Sequence, residues 1–392
     1  MQNLKYKYRL YPNNSQIESL KQVIGSNRYI WNYFLQKETE QYQIDNKFRF
    51  FNKNSNDLTS LKQATEWLKL PPSTSLQQTL RYLDQALKAS FKRNIKARKG
   101  FPKFKKKRNF DGSFSLAMVN SDRNCDFDNN KFKIPNIGWI KCRYHRVMPS
   151  DFKTCQIKQE ANQWYVVFTC QKQKLPVRNT NNSVGIDLNS SEYVLSNGIR
   201  YKIPKFLREN QAKIKKLQRN LSRKKKGSNN HLKAQLKLNK VNYRIRLKRL
   251  DYFHKLSHQL VNDYDVISLE DLNVKSIQQW NGHIIKDNGF AMLRRFIEYK
   301  SELYGGKAVI IDRYYPSSKS CSNCGNIRDI ELSERVYNCC SCGSVIDRDL
   351  NASINIDRAG TAQINDCGDP NVDISVMIGQ ILGTIDPGSR IL

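Results

Sequence analysis

Two closely spaced pairs of cysteines constrain the fold of this chain more strongly than any other feature of its sequence. Cys321 and Cys324 form one Cys-X-X-Cys pair, and Cys339 and Cys342 form a second pair after 14 intervening residues. Four thiolates at this spacing are typical of a tetrahedral structural zinc site, with Zn–S bonds of about 2.3 Å. Disulfides and chance are the other interpretations. Cys340, the fifth cysteine of the segment, is either an alternative ligand or a bystander, and we favour a bystander.

The remaining cysteines are scattered and do not form the disulfide framework of a small secreted protein. They are Cys125, Cys142, Cys155, Cys170 and Cys367. The sequence begins with a strand-like pattern instead of a signal peptide, and no run reaches the roughly 18 apolar residues that a membrane helix needs. We therefore expect a cytosolic protein that keeps its thiols reduced and has no membrane partner.

The charge of the chain indicates a polyanionic partner. The 67 basic residues outnumber the 35 acidic ones, so the formal net charge is +32. Residues 205–250 hold 17 basic side chains and one acidic one, and residues 88–108 hold 11 basic side chains and no acidic one. A net charge of this size is atypical of an enzyme of small metabolites, and its concentration on two segments is expected of a surface that binds a phosphate backbone. It favours nucleic acid first and an anionic membrane second.

Within the first basic segment, Phe101 and Phe104 alternate with cations, a combination that suits phosphates and stacked bases. A solvated run of charge is the alternative. The candidate nucleic-acid contacts are Lys103, Lys105, Lys106, Lys107, Arg108, Arg223, Lys224, Lys225 and Lys226.

Hydrophobic periodicity predicts helices followed by strands in the first half of the chain. A strand over residues 4–10 precedes a helix capped by Ser15, a short helix over 58–68, and a long helix capped by Ser73 or Ser75. The apolar stripe of the long helix is Leu76, Leu80, Leu83, Leu87, Phe91 and Ile95. From 114 to 171 the period becomes strand-like. We expect a small β-barrel that includes the first strand and carries the helices as an insertion.

The second half predicts a mixed domain in which three acids stand out. Strands are expected over 184–189, 192–195, 265–270 and 308–311, with two basic helices joined at 226–230, a helix over 290–304 and a short helix over 352–356 capped by Asn351. Asp187 lies within a strand, Glu270 ends a strand, and Asp349 precedes the short helix. This order is typical of RNase H-like nucleases. Carboxylates suit two Mg²⁺ ions about 4 Å apart, which activate a water and stabilise the leaving oxygen of a phosphodiester.

Two of the three acids have an acidic neighbour from which they must be distinguished. Glu270 is preferred to Asp271 because it continues the alternation of its strand, whereas spacing does not separate Asp349 from Asp347. The five histidines are dispersed, so no histidine-based nucleophile is indicated.

The sequence closely resembles the transposon-encoded TnpB (OrfB) family, relatives of the type V CRISPR effectors. The resemblance spans about residues 4–360. It rests on the motifs Tyr8–Pro12, Leu76–Asp84, Pro102–Lys106, Gly185–Leu188, Leu269–Leu272 and Ser317–Ala352. Two positions depart from the family pattern, since Asn189 stands where glycine is more common and Cys340 where proline is common.

The resemblance implies an α+β multidomain fold. The implied parts are a wedge β-barrel at 1–11 and 112–178, a helical recognition domain at 12–111, an RNase H-like (RuvC) α/β nuclease domain at 179–315 and 345–358 that includes the basic helical hairpin 205–250, a zinc ribbon at 316–344, and a C-terminal tail at 359–392 in which we find no pattern.

The resemblance also implies an RNA-guided DNA endonuclease with structural Zn²⁺ and catalytic Mg²⁺. The family's catalytic acids fall on Asp187, Glu270 and Asp349, the last because the family acid lies two residues before an asparagine, here Asn351. The implied partners are a guide RNA from the transposon end and double-stranded target DNA beside a short flanking motif. We expect a prokaryotic, cytoplasmic, nucleoid-associated protein, with a monomer favoured. A catalytically idle repressor is the alternative, and a strand-joining transposase ranks below both.

Overall fold

The computed structural model describes residues 2–91, 100–107, 110–117, 127–128, 130–146, 152–178, 182–272, 287–331 and 333–366. The chain forms two compact units. Unit 1 comprises residues 1–172 and 224–240, and unit 2 comprises residues 173–223 and 241–392. No helix in the described part of the chain combines the length and the hydropathy that crossing a bilayer requires.

Unit 1 contains a sheet of seven described strands. They are β1 (Gln2–Tyr11), β2 (Gly112–Ala117), β3 (Phe127–Asp128), β4 (Lys131–Ile134), β5 (Gly138–Arg143), β6 (Phe152–Glu160) and β7 (Gln163–Lys172). The sheet order is β2-β6-β7-β1-β5-β4-β3. β1 pairs antiparallel with both β5 and β7, which confirms that the first strand belongs with the later ones. Among the described residues, the sheet is a curled half-barrel, which agrees in part with the small β-barrel that we expected.

The buried face of this sheet follows the two-residue period of its strands. Tyr8 and Leu10 of β1 are buried, and they share a core with Val166 and Phe168 of β7. The side chains of β1 that lie between these buried residues are basic or partly exposed, because successive residues of a strand point to opposite faces. The alternation in the sequence therefore predicts which face becomes the core.

The helices of unit 1 are α1 (Asn14–Asp45), α2 (Phe50–Ala64), a 3₁₀ turn (Glu66–Lys69) and α3 (Ser73–Ser90). Ser15 does not cap α1, contrary to our expectation. The cap is Asn13, whose side chain accepts a hydrogen bond from the Gln16 N–H at 2.9 Å, while the Gln16 side chain accepts one from the Asn13 N–H at 3.1 Å. This reciprocal capping box satisfies two donors at once, so it determines where the helix begins.

The long helix α3 begins one residue after Pro72, so Ser73 and Ser75 lie in its first turn and neither is its cap. Its buried stripe confirms the predicted core, which consists of Leu76, Leu80, Leu83 and Leu87 together with residues of α1. Phe91 is exposed because α3 ends at Ser90. Ile95, which we placed on the same stripe, lies outside the described residues.

Unit 2 contains a mixed sheet of five described strands in the order β10-β9-β8-β11-β12. They are β8 (Ser183–Leu188), β9 (Glu192–Leu195), β10 (Arg200–Lys202), β11 (Val266–Glu270) and β12 (Lys307–Ile311). β8, β11 and β12 run parallel, whereas β9 and β10 form an antiparallel extension. The predicted Asn197-Gly198 turn joins β9 to β10, and Gly198 adopts a φ of +85°, which glycine tolerates without strain.

The remaining described helices are α4 (Phe206–Glu209), α5 (Gln211–Ser222), α6 (Asn229–Asp263), α7 (Phe290–Tyr304) and α8 (Arg348–Asp366). A short hairpin, β13 (Val336–Asn338) and β14 (Val345–Asp347), precedes α8. The expected short helix over 352–356 is thus part of a longer one. Asn351 lies inside α8 and not at its cap, because the Asp347 carboxylate accepts the N–H bonds of Asp349 and Leu350 and begins the helix there.

Candidate active site and cysteine cluster

The four cysteines of the two Cys-X-X-Cys pairs converge in unit 2. All four Sγ atoms, from Cys321, Cys324, Cys339 and Cys342, lie within 4.8 Å of one another. The Cys321 and Cys342 sulfurs are 3.7 Å apart, and the Cys324 and Cys339 sulfurs are 3.5 Å apart. Four thiols at these separations match the donor set of a closed structural Zn²⁺ site. The cluster therefore suggests a zinc site.

Local backbone geometry explains how each cysteine pair bends around this centre. Gly325 and Gly343 follow the two pairs with φ values of +79° and +69°, where a side chain would introduce strain. Backbone N–H groups, chiefly that of Cys342, lower the pKa of Cys339 to about 6 and so favour its thiolate. Cys340 is exposed and is not part of this group of four.

Three predicted acids come from three neighbouring elements of unit 2. Asp187 lies near the end of β8 and Glu270 ends β11, and these strands are parallel neighbours. Because parallel neighbours end at the same edge of a sheet, the two carboxylates share that edge. Asp349 lies in the first turn of α8, which packs on β8 and β11.

The pKa of Asp187 reflects its burial and the charges of the other two predicted acids. Asp187 is only 9% exposed to solvent. Burial, followed by the charges of Glu270 and Asp349, raises the pKa of Asp187 to about 8. A hydrogen bond of 2.9 Å from the Asn189 side chain to Asp187 Oδ2 acts in the opposite direction. Burial also raises the pKa of Glu270, whereas a hydrogen bond from Ser317 Oγ at 2.5 Å lowers it.

The acidic neighbours of these residues have other partners. Asp271 pairs with Arg294 at 2.6 Å and with Arg313 at 2.5 Å, which keeps its pKa low. Both of these cations come from elements that follow β11 along the chain. Asp271 is therefore a structural ion-pair residue in the described region.

The other neighbour, Asp347, caps α8 and pairs with Arg200 at 2.8 Å. Its carboxylate is therefore committed to a helix end and a cation. Asp349 instead contributes its charge to the surroundings of Asp187. The structure thus distinguishes two acids that the sequence spacing did not separate.

The three carboxylates are less tightly grouped than the four thiols. In the part of the chain that the structure describes, the ligand atoms of the four cysteines all lie within 4.8 Å of one another. The carboxylate oxygens of Asp187, Glu270 and Asp349 do not form a group that is this compact. Ligands divided between two cations about 4 Å apart need not meet it. Carboxylate oxygens are the donors that hard divalent cations prefer, so the residues present fit Mg²⁺.

The first predicted basic patch, in unit 1, is exposed and held to α1. Lys103, Lys105, Lys106 and Lys107 are exposed. The Lys105 N–H donates to Asn32 Oδ1 at 2.7 Å, and the Lys105 ammonium lies 3.6 Å from the centre of the Trp31 ring. Arg108 lies outside the described residues. These contacts attach the irregular segment to α1 and so fix the positions of its exposed lysines.

The second predicted patch lies between α5 and α6. Arg223, Lys224, Lys225 and Lys226 are all exposed there, and Gly227 follows with a φ of +87°. The four cations therefore project from a tight turn between two helices.

Residues from both basic segments line a cavity of about 650 Å³ within unit 1. Lys107 from the first segment and Lys233 from the second line it, together with Lys21 and Arg28 of α1. Sequence reasoning missed Lys21 and Arg28. Their separation of seven residues, which places them on one helix face, was the available signal.

Three family models match parts of this chain. The family model for OrfB of IS605, described as "Probable transposase", matches residues 165–281. The associated model, described as "Helix-turn-helix domain", matches residues 1–47, and the model "Cas12f1-like, TNB domain" matches residues 290–356.

Two relatives match nearly the whole chain. The "Putative RNA-guided DNA endonuclease" of Streptomyces pristinaespiralis is 34% identical over 382 residues, which cover 94% of this chain and 92% of the relative. The "Putative RNA-guided DNA endonuclease InsQ" of Escherichia coli K12 is 29% identical over 386 residues, with 93% and 94% covered.

The similarity to a solved structure concerns the fold and not the function. The Cas12f1–sgRNA–target DNA complex matches with a TM-score of 0.57 and 14% identity, over 88% of this chain and 83% of that one. The near-complete coverage by the Streptomyces relative, with the two OrfB models, is the stronger finding. The chain therefore belongs to the TnpB (OrfB) family.

Proposed function

We propose that this chain is an RNA-guided DNA endonuclease of a transposable element, which hydrolyses target DNA beside a short flanking motif. The observation that supports the proposal is the edge of the unit 2 sheet: Asp187 and Glu270 lie at the ends of the parallel neighbours β8 and β11, and Asp349 lies in the first turn of α8, which packs on both strands. Carboxylates that are costly to bury together are typical of a catalytic cation site. The names of the two long relatives support the same activity.

In this proposal the three acids are the catalytic ligands and Mg²⁺ is the cofactor. Two divalent ions held there would supply a nucleophilic water and stabilisation of the leaving 3′ oxygen. The chain's own contribution is to desolvate Asp187 and to orient it through Asn189, which donates to Oδ2. Ser317 orients Glu270 in the same way.

The proposed domains follow the expected boundaries. Residues 179–315 and 345–358 would be the RuvC-like nuclease domain, 316–344 the zinc ribbon, 1–11 and 112–178 the wedge, and 12–111 the recognition domain. The three parallel strands β8, β11 and β12, extended by β9 and β10, support the first assignment. The cluster of four thiols supports the second.

Sequence recognition would belong to the guide RNA, and the protein would hold phosphates. Exposed cations of both patches, and those that line the unit 1 cavity, support contacts with a nucleic-acid backbone. The solved relative in fold is itself a complex with a guide RNA and target DNA. Pairing between guide and target then reads the sequence, while the protein reads backbone shape and a short flanking motif.

The test begins with the RNA that copurifies with the full chain. This RNA is sequenced, and a duplex that matches its guide portion, beside a randomised flank, is incubated with the complex and Mg²⁺. We expect cleavage of the matched duplex, no cleavage of a scrambled duplex, and none without divalent cations. A complex that binds the matched duplex but leaves it intact would establish the idle repressor instead. A chain that carries no discrete RNA would overturn the guided mechanism.

A further inference from the structure

A short segment of unit 2, Ser317–Ser322, lies between the cysteine cluster and the candidate catalytic acids. At one end, the Ser317 hydroxyl donates to Glu270 Oε1 at 2.5 Å. At the other end, Ser322 lies inside the first cysteine pair, next to Cys321. The segment is therefore in contact with both centres.

Three side chains of α8 hold this segment. Asn351 Oδ1 accepts the Ser322 N–H at 2.8 Å, and Asn351 Nδ2 donates to the Ser320 carbonyl at 2.7 Å. Asn355 Nδ2 donates to the carbonyls of Ser317 at 2.8 Å and Ser320 at 2.7 Å. One row of α8 side chains thus binds the backbone of the segment along its length.

The third side chain of that row is Arg358, which donates to the Ser322 carbonyl. Positions 351, 355 and 358 are four and then three residues apart, so they lie on one face of the helix. Both asparagines are buried, with Asn351 0% and Asn355 4% exposed. Buried amides with several partners fix the geometry of what they bind, because an unsatisfied amide in their place would be costly.

We propose that Ser317, Asn351 and Asn355 are positioning residues that couple the cysteine cluster to the catalytic acids. Asn351 stands two residues after Asp349 on α8, so anchoring Asn351 to the cysteine loop fixes the first turn that carries the acid. Ser317 fixes Glu270 from the same segment. The metal-binding ribbon thereby acts as a structural reference for two of the three acids. This inference rests on the proposed function.

The coupling has a physical reason. Three carboxylates repel one another, and burial increases the repulsion. The strands and the helix that carry the carboxylates would move apart unless other interactions held them together. The affinity of the site for a cation therefore depends on how firmly these elements are positioned. Loss of a residue that orients a ligand typically lowers metal affinity or activity by about 10- to 100-fold.

The first test concerns Ser317. Ser317→Ala removes the hydrogen bond to Glu270, and Ser317→Thr retains the hydroxyl. Ser333→Ala is the matched control, because Ser333 is an exposed residue of the same ribbon. Mn²⁺ binding to the zinc-loaded full chain without RNA is measured by electron paramagnetic resonance. The Mg²⁺ concentration for half-maximal cleavage is measured with the guide bound.

We expect Ser317→Ala to weaken Mn²⁺ binding, and to raise the Mg²⁺ requirement, by about 10-fold. Ser317→Thr should restore both quantities to within about 3-fold of the wild type, and Ser333→Ala should change neither. Affinity for guide RNA should be the same in all four proteins. Unchanged Mn²⁺ binding in Ser317→Ala would overturn the role of Ser317.

The second test concerns the asparagines, with Asn338→Ala as the matched control, because Asn338 is an exposed residue of β13. Asn351→Ala frees the Ser322 N–H, so its hydrogen exchange should accelerate while the zinc content stays at one ion per chain. Asn355→Ala should raise the Mg²⁺ requirement by about 10-fold. Because Asn355 acts through the segment that holds Ser317, the double variant Asn355→Ala/Ser317→Ala should resemble the single variants, with effects that do not multiply.

The outcomes separate this inference from the proposed function. If the wild type does not cleave a guide-matched duplex, the proposed function fails, while Mn²⁺ binding and hydrogen exchange still test the coupling. If the wild type cleaves and the variants match it in Mn²⁺ binding, exchange and Mg²⁺ requirement, the coupling is wrong. Multiplicative effects in the double variant would also overturn it, because they would show independent actions.

Discussion

Gly185 of β8 lies against the backbone of Asp357 on α8, so closely that a Cβ atom at position 185 would collide with it. The same atom would also collide with the carbonyl oxygen of Ser353. Helix α8 therefore rests directly on the strand two residues before Asp187. This close approach places the first turn of α8, with Asp349, beside the end of β8.

Gly185→Ala should separate α8 from the sheet. The blocking atoms belong to the backbone and cannot rotate away, so we expect a destabilisation of at least about 2 kcal/mol and loss of cleavage. Thermal unfolding of the zinc-loaded chain measures the first effect. Gly25→Ala in α1, where a Cβ meets nothing within 4 Å, is the control and should be neutral or slightly stabilising. Equal melting temperatures for wild type and Gly185→Ala would show that the contact is not tight.

Asp187→Ala should abolish cleavage and preserve binding of guide and target. Asp187 is a buried acid at the edge of the unit 2 sheet, so its loss removes a proposed cation ligand and no positively charged phosphate contact. We expect a rate reduction of at least about 1,000-fold, a few kcal/mol of barrier, with dissociation constants within about 2-fold of the wild type. Asp251→Ala, which removes an exposed carboxylate of α6, should cleave normally. A parallel loss of target binding in Asp187→Ala would contradict a purely catalytic role.

Asp187 should also make stability depend on pH when no Mg²⁺ is added. Its pKa is raised to about 8 in the folded chain, from an ordinary value of 3.8. Between those values the folded chain retains a proton that the unfolded chain has released, so stability falls as pH rises from about 4 to about 8. Asp187→Asn cannot ionise and should escape this decline, which is about 1.4 kcal/mol for each pH unit in that interval.

The measurement is the melting temperature of Asp187→Asn relative to the wild type at pH 5 and pH 8. We expect the variant's advantage to grow toward pH 8. Asp251→Asn, an exposed acid, serves as the control and should show no such trend. An advantage that is independent of pH would mean that ionisation of Asp187 is not penalised in the fold.

The cysteine cluster predicts one zinc ion per chain. Four thiolates within 4.8 Å of one another repel unless a cation lies between them, and structural zinc contributes directly to folding. Chelation should therefore unfold the ribbon and lower cleavage, and Cys339→Ser should do the same. Elemental analysis and thiol titration provide the readout, with Cys340→Ser as the control. A chain without zinc but with all four cysteines reduced would contradict the assignment.

The turn between α5 and α6 should contribute to RNA affinity through charge alone. Replacing Lys224, Lys225 and Lys226 by alanine removes three exposed cations, so RNA binding should weaken and its dependence on salt should flatten. The slope of log affinity against log salt should fall by about 2 for single-stranded contacts. The triple Lys→Arg variant retains the charge and should keep the wild-type slope. An unchanged slope in the alanine variant would exclude this patch from the interface.

Several local features could be predicted because they depend on neighbouring residues only. The period-2 pattern of β1, the four leucines of the apolar stripe of α3 and the Asn197-Gly198 turn appear in the structure as expected. Helix boundaries were less accurate. Asn13 and Gln16 form a reciprocal cap that displaces Ser15 from that role, and Asp347 begins α8 several residues before the predicted start.

The candidate site was only partly predictable. Asn189 and Ser317 now contact Asp187 and Glu270, although neither was selected from the sequence. Asn189 was noticed as a departure from a family pattern, and Ser317 lay within a matched motif, yet nothing local showed where their side chains point. Asn351 was interpreted as a helix cap, whereas it binds the cysteine loop.

The sequence by itself determined the donors that are available: four thiols at a zinc-like spacing, three strand- or helix-associated acids, and two runs of cations. These are consequences of residue type and spacing. The alternation of β11 already favoured Glu270 over Asp271, whereas only the tertiary structure separated Asp349 from Asp347, because Asp347 pairs with Arg200, which is distant in sequence. Long-range ion pairs and the contact of α8 with Gly185 depend on how the elements pack. They join residues that are far apart in sequence, so no local sequence pattern predicts them.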